Sequence, residues 1–121
     1  MTAKLHRSLI IEALVALDAE CAQRGITGEI CIYGGASMVL VFDAREATRD
    51  VDAVFQPTAE IREAALTVSR NLNLPADWLN DGVKGFVSGN EALSRISIPE
   101  LDALTNLRIL WPTPEYILAM K

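Results

Sequence analysis

The strongest constraint on the fold is Ile32-Tyr33-Gly34-Gly35-Ala36-Ser37, read together with Thr48-Arg49-Asp50-Val51-Asp52. A short β-rich run, Glu29 to Tyr33, meets two glycines and passes into an apolar stretch, Ala36 to Phe42. That is the pattern of a strand turning tightly into a buried helix. The next strand, Asp50 to Phe55, opens on two carboxylates one residue apart. Strand side chains repeat every second residue, so Asp50, Asp52 and Val54 point one way, Val51 and Ala53 the other. Paired carboxylates repel each other and suit a divalent cation between them. Backbone N–H groups after a glycine turn suit an anion. A cation seat beside a phosphate seat points to phosphoryl or nucleotidyl chemistry.

The rest of the chain supplies helices on both sides of this unit. Leu5, Leu9, Ile10, Leu14, Leu17 and Cys21 follow a helical period that Gly25 ends. After Pro57, Thr58 is the expected N-cap, with Glu60 in the first turn, of a helix carrying Ile61, Ala64, Ala65, Val68 and Leu72 and ending near Asn73. Asp77-Trp78-Leu79-Asn80-Asp81-Gly82 reads as a short helix or turn. Strands are expected at Phe86-Val87, over Leu93 to Ile98 and over Leu107 to Leu110, with a turn at Ser88-Gly89-Asn90. Thr113-Pro114-Glu115 starts a last helix with an apolar stripe through Tyr116, Ile117 and Met120. That helix either docks on the sheet or belongs to something longer. The expected class is α/β or α+β: a small mixed sheet packed with helices, in one domain over 1–121.

A net charge of −5 argues against a broad basic face for nucleic acid, without excluding a local basic pocket. Cys21 and Cys31 lack metal-ligand spacing and read as reduced core thiols of a cytoplasmic protein. With His6 as the only histidine, neither a histidine metal cluster nor a Ser/His triad is available. The N-terminus reads as no signal peptide, and no stretch approaches the roughly 20 apolar residues of a membrane span.

Tyr33-Gly34-Gly35-Ala36-Ser37 followed by Asp50-Val51-Asp52-Ala53-Val54 resembles the nucleotidyltransferase superfamily with the DNA polymerase β core. That signature is an apolar residue, Gly, then Gly or Ser, a spacer, and Asp-x-Asp or Asp-x-Glu on the next strand. With Thr48-Arg49 and Pro114-Glu115-Tyr116-Ile117-Leu118-Ala119-Met120-Lys121, the chain looks most like small bacterial nucleotidyltransferases akin to AbiEii-type toxins. The resemblance implies Mg²⁺ (or Mn²⁺) held by Asp50 and Asp52, and transfer of an NMP from an NTP to an acceptor hydroxyl. The acceptor would be RNA such as a tRNA 3′ end, a protein or a small molecule. An antitoxin or a second copy is the implied partner. Three departures stand out. Leu107 to Leu110 carries no third carboxylate, with Asp102 just ahead in an expected loop; Glu46, with Arg45 before it, stands where such proteins often carry arginine; and their motif beyond the lysine is absent.

Each candidate has a plainer reading beside the functional one. Asp50 and Asp52 are metal ligands or a solvated strand start paired with Arg49 or Arg45. Gly34 and Gly35 admit phosphates to the backbone or simply make a tight turn. Ser37 offers a hydroxyl or caps the helix. Lys84 and Lys121 contact phosphate or are solvated cations. Trp78 stacks on a base or lies in the core. The alternative function is a catalytically degenerate nucleotide-binding or protein-interaction module of the same fold.

Overall fold

The computed structural model describes residues 4–41, 47–81, 93–94 and 98–112. The expected features at Phe86-Val87, Ser88-Gly89-Asn90 and 113–121, together with Arg45, Glu46, Lys84 and Lys121, lie outside them. Residues Leu5–His6 form β1 and Arg7–Arg24 form α1. Then come β2 (Gly28–Tyr33), α2 (Gly34–Leu40), β3 (Ala47–Thr48) and β4 (Val51–Gln56). The order continues with α3 (Thr58–Leu72), β5 (Leu79–Asn80), β6 (Leu93–Ser94), α4 (Pro99–Asp102) and β7 (Leu107–Pro112).

Five of the described strands form one mixed sheet in the order β5-β4-β2-β7-β6, and β1 pairs with β3 beside it. The strands β2 and β4 are antiparallel, with Tyr33 opposite Asp52 and Ile30 opposite Phe55. Strand β7 lies parallel to β2, with Gly28 opposite Leu107. On the far side β5 runs parallel to β4, with Asn80 opposite Asp52. The protein is therefore a small α/β fold with a mixed sheet, the class expected.

The helices cover one face of the sheet. Ile30 and Ile32 of β2, Val51, Ala53 and Phe55 of β4, and Leu107, Ile109 and Trp111 of β7 enter one core with α1, α2 and α3. Alternate residues turn the other way: Cys31, Tyr33 and Leu110 form a second, smaller cluster with Val54 packed against it. The central strand β2 is thus apolar on both faces, so its sequence shows a continuous apolar run instead of an alternation. The alternation survives in β4, where Val51, Ala53 and Phe55 are buried while Asp52 and Val54 are only partly so.

The structure corrects several local readings. Leu5 sits in β1 opposite Thr48, not in the helix, because pairing with β3 takes the chain before Arg7. Thr58 does not cap α3: Pro57 takes the N-cap position, and the Thr58 hydroxyl donates backward to the Phe55 carbonyl at 2.9 Å, tying strand to helix. The turn around Asp77 leads into β5, a two-residue strand too short to carry a periodic signal. Asp102 closes the single-turn helix α4. The helix ends at Gly25 and Asn73 stand as expected, both in the left-handed region (φ 71° and 61°).

Candidate functional site

The glycine turn and the acidic pair meet at one end of the sheet. Tyr33 is the last residue of β2 and faces Asp52, so the residue after it, Gly34, falls beside the Asp52 carboxylate. Gly34 has φ 64°, a conformation other residues adopt only at a cost. A Cβ placed there would stand 3.3 Å from Oδ2 of Asp52. The glycine leaves the space in front of the carboxylate open. Gly34 and Gly35 are both partly exposed, and they form the first turn of α2 instead of a break before it.

Ser37 stands differently. It is fully buried, and its hydroxyl donates to the Ile32 carbonyl at 2.9 Å. No side chain caps α2. Ser37 therefore neither caps the helix nor faces the open side of the turn; its hydroxyl seals the strand end against the helix interior.

Asp50 lies just before β4 and Asp52 within it, both partly exposed. Burial pushes the Asp50 carboxyl above its usual range, and the Asp52 and Asp77 carboxylates push the same way. A hydrogen bond from Asn80 and the charge of Arg49 work against that rise. Among the described residues, Asp52 and Asp77 thus disfavour the charged form of Asp50, and Asn80 and Arg49 favour it. The donors are hard carboxylate oxygens, which fit Mg²⁺ or Mn²⁺ rather than a soft metal. Among the described residues, no three of His, Cys, Asp and Glu converge as a metal cluster. Mg²⁺ does not need one: it is commonly held by one or two carboxylates, with substrate phosphates and waters completing the shell.

Two residues of this end were not assigned to the site from sequence. Asp77 acts on Asp50 from the turn ahead of β5, whereas a third acid was sought on β7, at the far side of β2. Asn80 stands opposite Asp52 because β5 lies in register beside β4. The signal in the sequence was the turn-like run from Asp77 to Asp81, which says nothing of the strand it joins. Trp78 belongs to the core: it is fully buried, and its indole N–H donates to the Ala65 carbonyl at 2.9 Å.

A cleft of about 460 Å³ opens at the other end of the sheet, where Gly28, Asn106 and Arg108 line it. Two of its charged lining residues pair with each other at the surface, Arg108 donating to Glu29 at 3.0 Å. It contains neither the glycine turn nor the acidic pair. No described helix is long and apolar enough to cross a membrane. Comparison of the chain with protein-family models, with curated proteins and with solved structures returned no match.

Proposed function

We propose that this protein is a Mg²⁺-dependent nucleotidyltransferase that moves a nucleoside monophosphate from an NTP to an acceptor hydroxyl. The observation that carries this reading is the placement of Gly34 against Asp52, with Asp50 beside it. A turn without a side chain thereby opens onto paired carboxylates at one strand end. The acceptor hydroxyl oxygen would attack the α-phosphorus and give up its proton to solvent, while the bond to the α–β bridging oxygen breaks and pyrophosphate leaves with that electron pair. Asp50 and Asp52 hold the cation, and the backbone at Gly34 and Gly35 admits the phosphates. The bound cation supplies charge neutralisation and alignment of the phosphates. Lys121 is the phosphate-contacting cation that the family resemblance implies, and Lys84, in a glycine-flanked stretch, is a second candidate. RNA, a protein or a small molecule fits as acceptor; the acidic composition disfavours RNA unless a partner supplies the basic surface. An antitoxin or a second copy is the partner this reading implies.

The test is incubation with each labelled NTP, Mg²⁺ and a tRNA pool or lysate. Transfer of label is expected from the wild type, with a loss of at least a hundredfold in Asp50→Ala plus Asp52→Ala. Label transfer that persists undiminished in that variant overturns the catalytic assignment. A second reading, a degenerate nucleotide-binding or interaction module, draws on the lack of a third metal-ligating group among the described residues. Mg²⁺-dependent NTP binding without transfer to any acceptor would favour it.

A further inference from the structure

Glycine permits the turn ahead of the acidic pair but does not choose it. A glycine adopts positive and negative φ with similar ease, so Gly34-Gly35 leaves several turn shapes open. Gly34 stands in one of them, at φ 64°, where an added Cβ would lie 3.3 Å from Oδ2 of Asp52. The choice is fixed from within the core. Ser37 is fully buried, and its hydroxyl donates to the Ile32 carbonyl at 2.9 Å, five residues back. That bond closes a ring around Tyr33, Gly34, Gly35 and Ala36, the whole passage from β2 into α2. Both sides of the ring are anchored. Ile32 pairs with Ala53, the residue after Asp52, and Ala36 and Val39 enter the main core. Ser37 and Ile32 are both fully buried, so water does not compete for the bond. The junction between β4 and α3 offers a contrast. There the Thr58 hydroxyl donates to the Phe55 carbonyl at 2.9 Å, across a turn whose Pro57 already fixes its own φ. The glycine turn has no such residue, and the Ser37 hydroxyl carries the constraint instead.

We propose that Ser37 is a positioning residue of the candidate site: by bonding the Ile32 carbonyl, its buried hydroxyl holds Gly34 in the left-handed conformation that leaves the front of Asp52 open to a polyphosphate. This rests on the nucleotidyltransferase reading for the ligand, whereas the clamp on Gly34 stands apart from it. Ser37 acts from behind the turn and touches no phosphate. Loss of its hydroxyl takes that donor from the Ile32 carbonyl inside the core. The turn then samples its other shapes, and a ligand that needs the open one binds only the fraction that keeps it. With both signs of φ similarly accessible at each of the two glycines, that fraction is about a quarter.

The experiment has two arms on the full chain, with Ser37→Ala as the variant. Val68→Ala, a truncation on the buried face of α3, controls for lost stability. In the first arm, without ligand, ¹⁵N relaxation and relaxation dispersion follow Gly34 from picoseconds to milliseconds. The wild type and Val68→Ala are expected to show one rigid state, with an order parameter of about 0.85 and no exchange. In Ser37→Ala the order parameter is expected to fall below about 0.6, or exchange to appear. In the second arm, Mn²⁺ with inorganic tripolyphosphate is titrated by water-proton relaxation. Ser37→Ala is expected to weaken binding about fourfold, and Val68→Ala to leave it unchanged. If Ser37→Ala does not fold, Ser37→Cys takes its place, keeping the volume with a weak S–H donor. A single rigid Gly34 in the variant that lacks the hydroxyl overturns the proposal, as does wild-type affinity there. Equal weakening in Val68→Ala does so too, because lost stability then explains the effect. A wild type that takes up no Mn²⁺ removes the nucleotidyltransferase reading, and the first arm then judges the clamp alone.

Discussion

The two ends of β2 each hold a carboxylate that the fold treats in opposite ways. At the start of β2, Asp18 of α1 is buried and fully satisfied. Its Oδ1 accepts from the backbone N–H groups of Asn106 and Leu107, at 2.8 Å each, and its Oδ2 from that of Thr105 at 3.3 Å. Asn106 extends the tie, donating from its side chain to the Ile26 carbonyl at 3.1 Å and accepting from the Gly28 N–H at 2.9 Å. One acid thereby fixes the start of β7 to α1 and to the start of β2. At the far end, Asp50 and Asp52 are partly exposed and crowd each other, with Asp77 adding to the repulsion. The first arrangement is a completed structural joint. The second is a group of acids that, among the described residues, disfavour one another's charge. Carboxylates in excess of their partners cost stability and persist where a ligand makes use of them.

The largest break in this contrast is Asp18→Ala. It strands backbone donors that share a charged acceptor in the interior, and it should lower unfolding free energy by about 3 kcal/mol. Urea denaturation checks this; a variant as stable as wild type would mean the joint carries no weight. Next comes Cys21, one turn along α1, whose thiol is pushed up to about 11 by burial and then by Asp18, against the opposing charge of Arg24. The unfolded thiol ionises near 9, so between pH 9 and 11 the unfolded chain releases a proton that the folded chain keeps. Stability is fully present below that window and is lost as pH rises through it, by about 2 kcal/mol at most. Cys21→Ala should show a shallower loss over the same range, measured by denaturation at each pH.

At the other end, Gly34→Ala places a Cβ on a left-handed residue against Asp52. The expected cost is about 1 kcal/mol. Mn²⁺ binding should fall with it, because the carboxylate must give way. Unchanged binding would separate the glycine from the site. The smallest effect has the opposite sign: Asp50→Asn, assayed without metal, relieves like-charge repulsion and should raise stability. Its partial exposure lets solvent screen the repulsion, limiting the gain to about 0.5 kcal/mol. Saturating Mg²⁺ should cancel that advantage by stabilising the wild type alone.

Much of this frame is legible in the amino-acid sequence. The amphipathic period of α3, the helix ends at Gly25 and Asn73, the strands β2, β4 and β7, and the two-faced pattern of β4 all follow from local spacing. So does the Gly34-Gly35 turn ahead of Asp50 and Asp52. What stays hidden depends on non-local partners. Thr58 looks like a cap until the Phe55 carbonyl claims its hydroxyl. Ser37 looks available until it is buried against Ile32. Asp18 reads as one more helix acid because its donors lie in the loop before β7.

The sequence by itself determined the elements and the presence of a glycine turn followed by an acidic strand. Spacing, glycine conformational freedom and side-chain periodicity are local properties that a short stretch of chain expresses on its own. Only the tertiary structure decided which acid is satisfied and which is left crowded. Hydrogen-bond donors and opposing charges come from strands and helices far apart in the chain. The register of β4 between β2 and β5 is what sets Gly34, Asn80 and Asp77 around the pair.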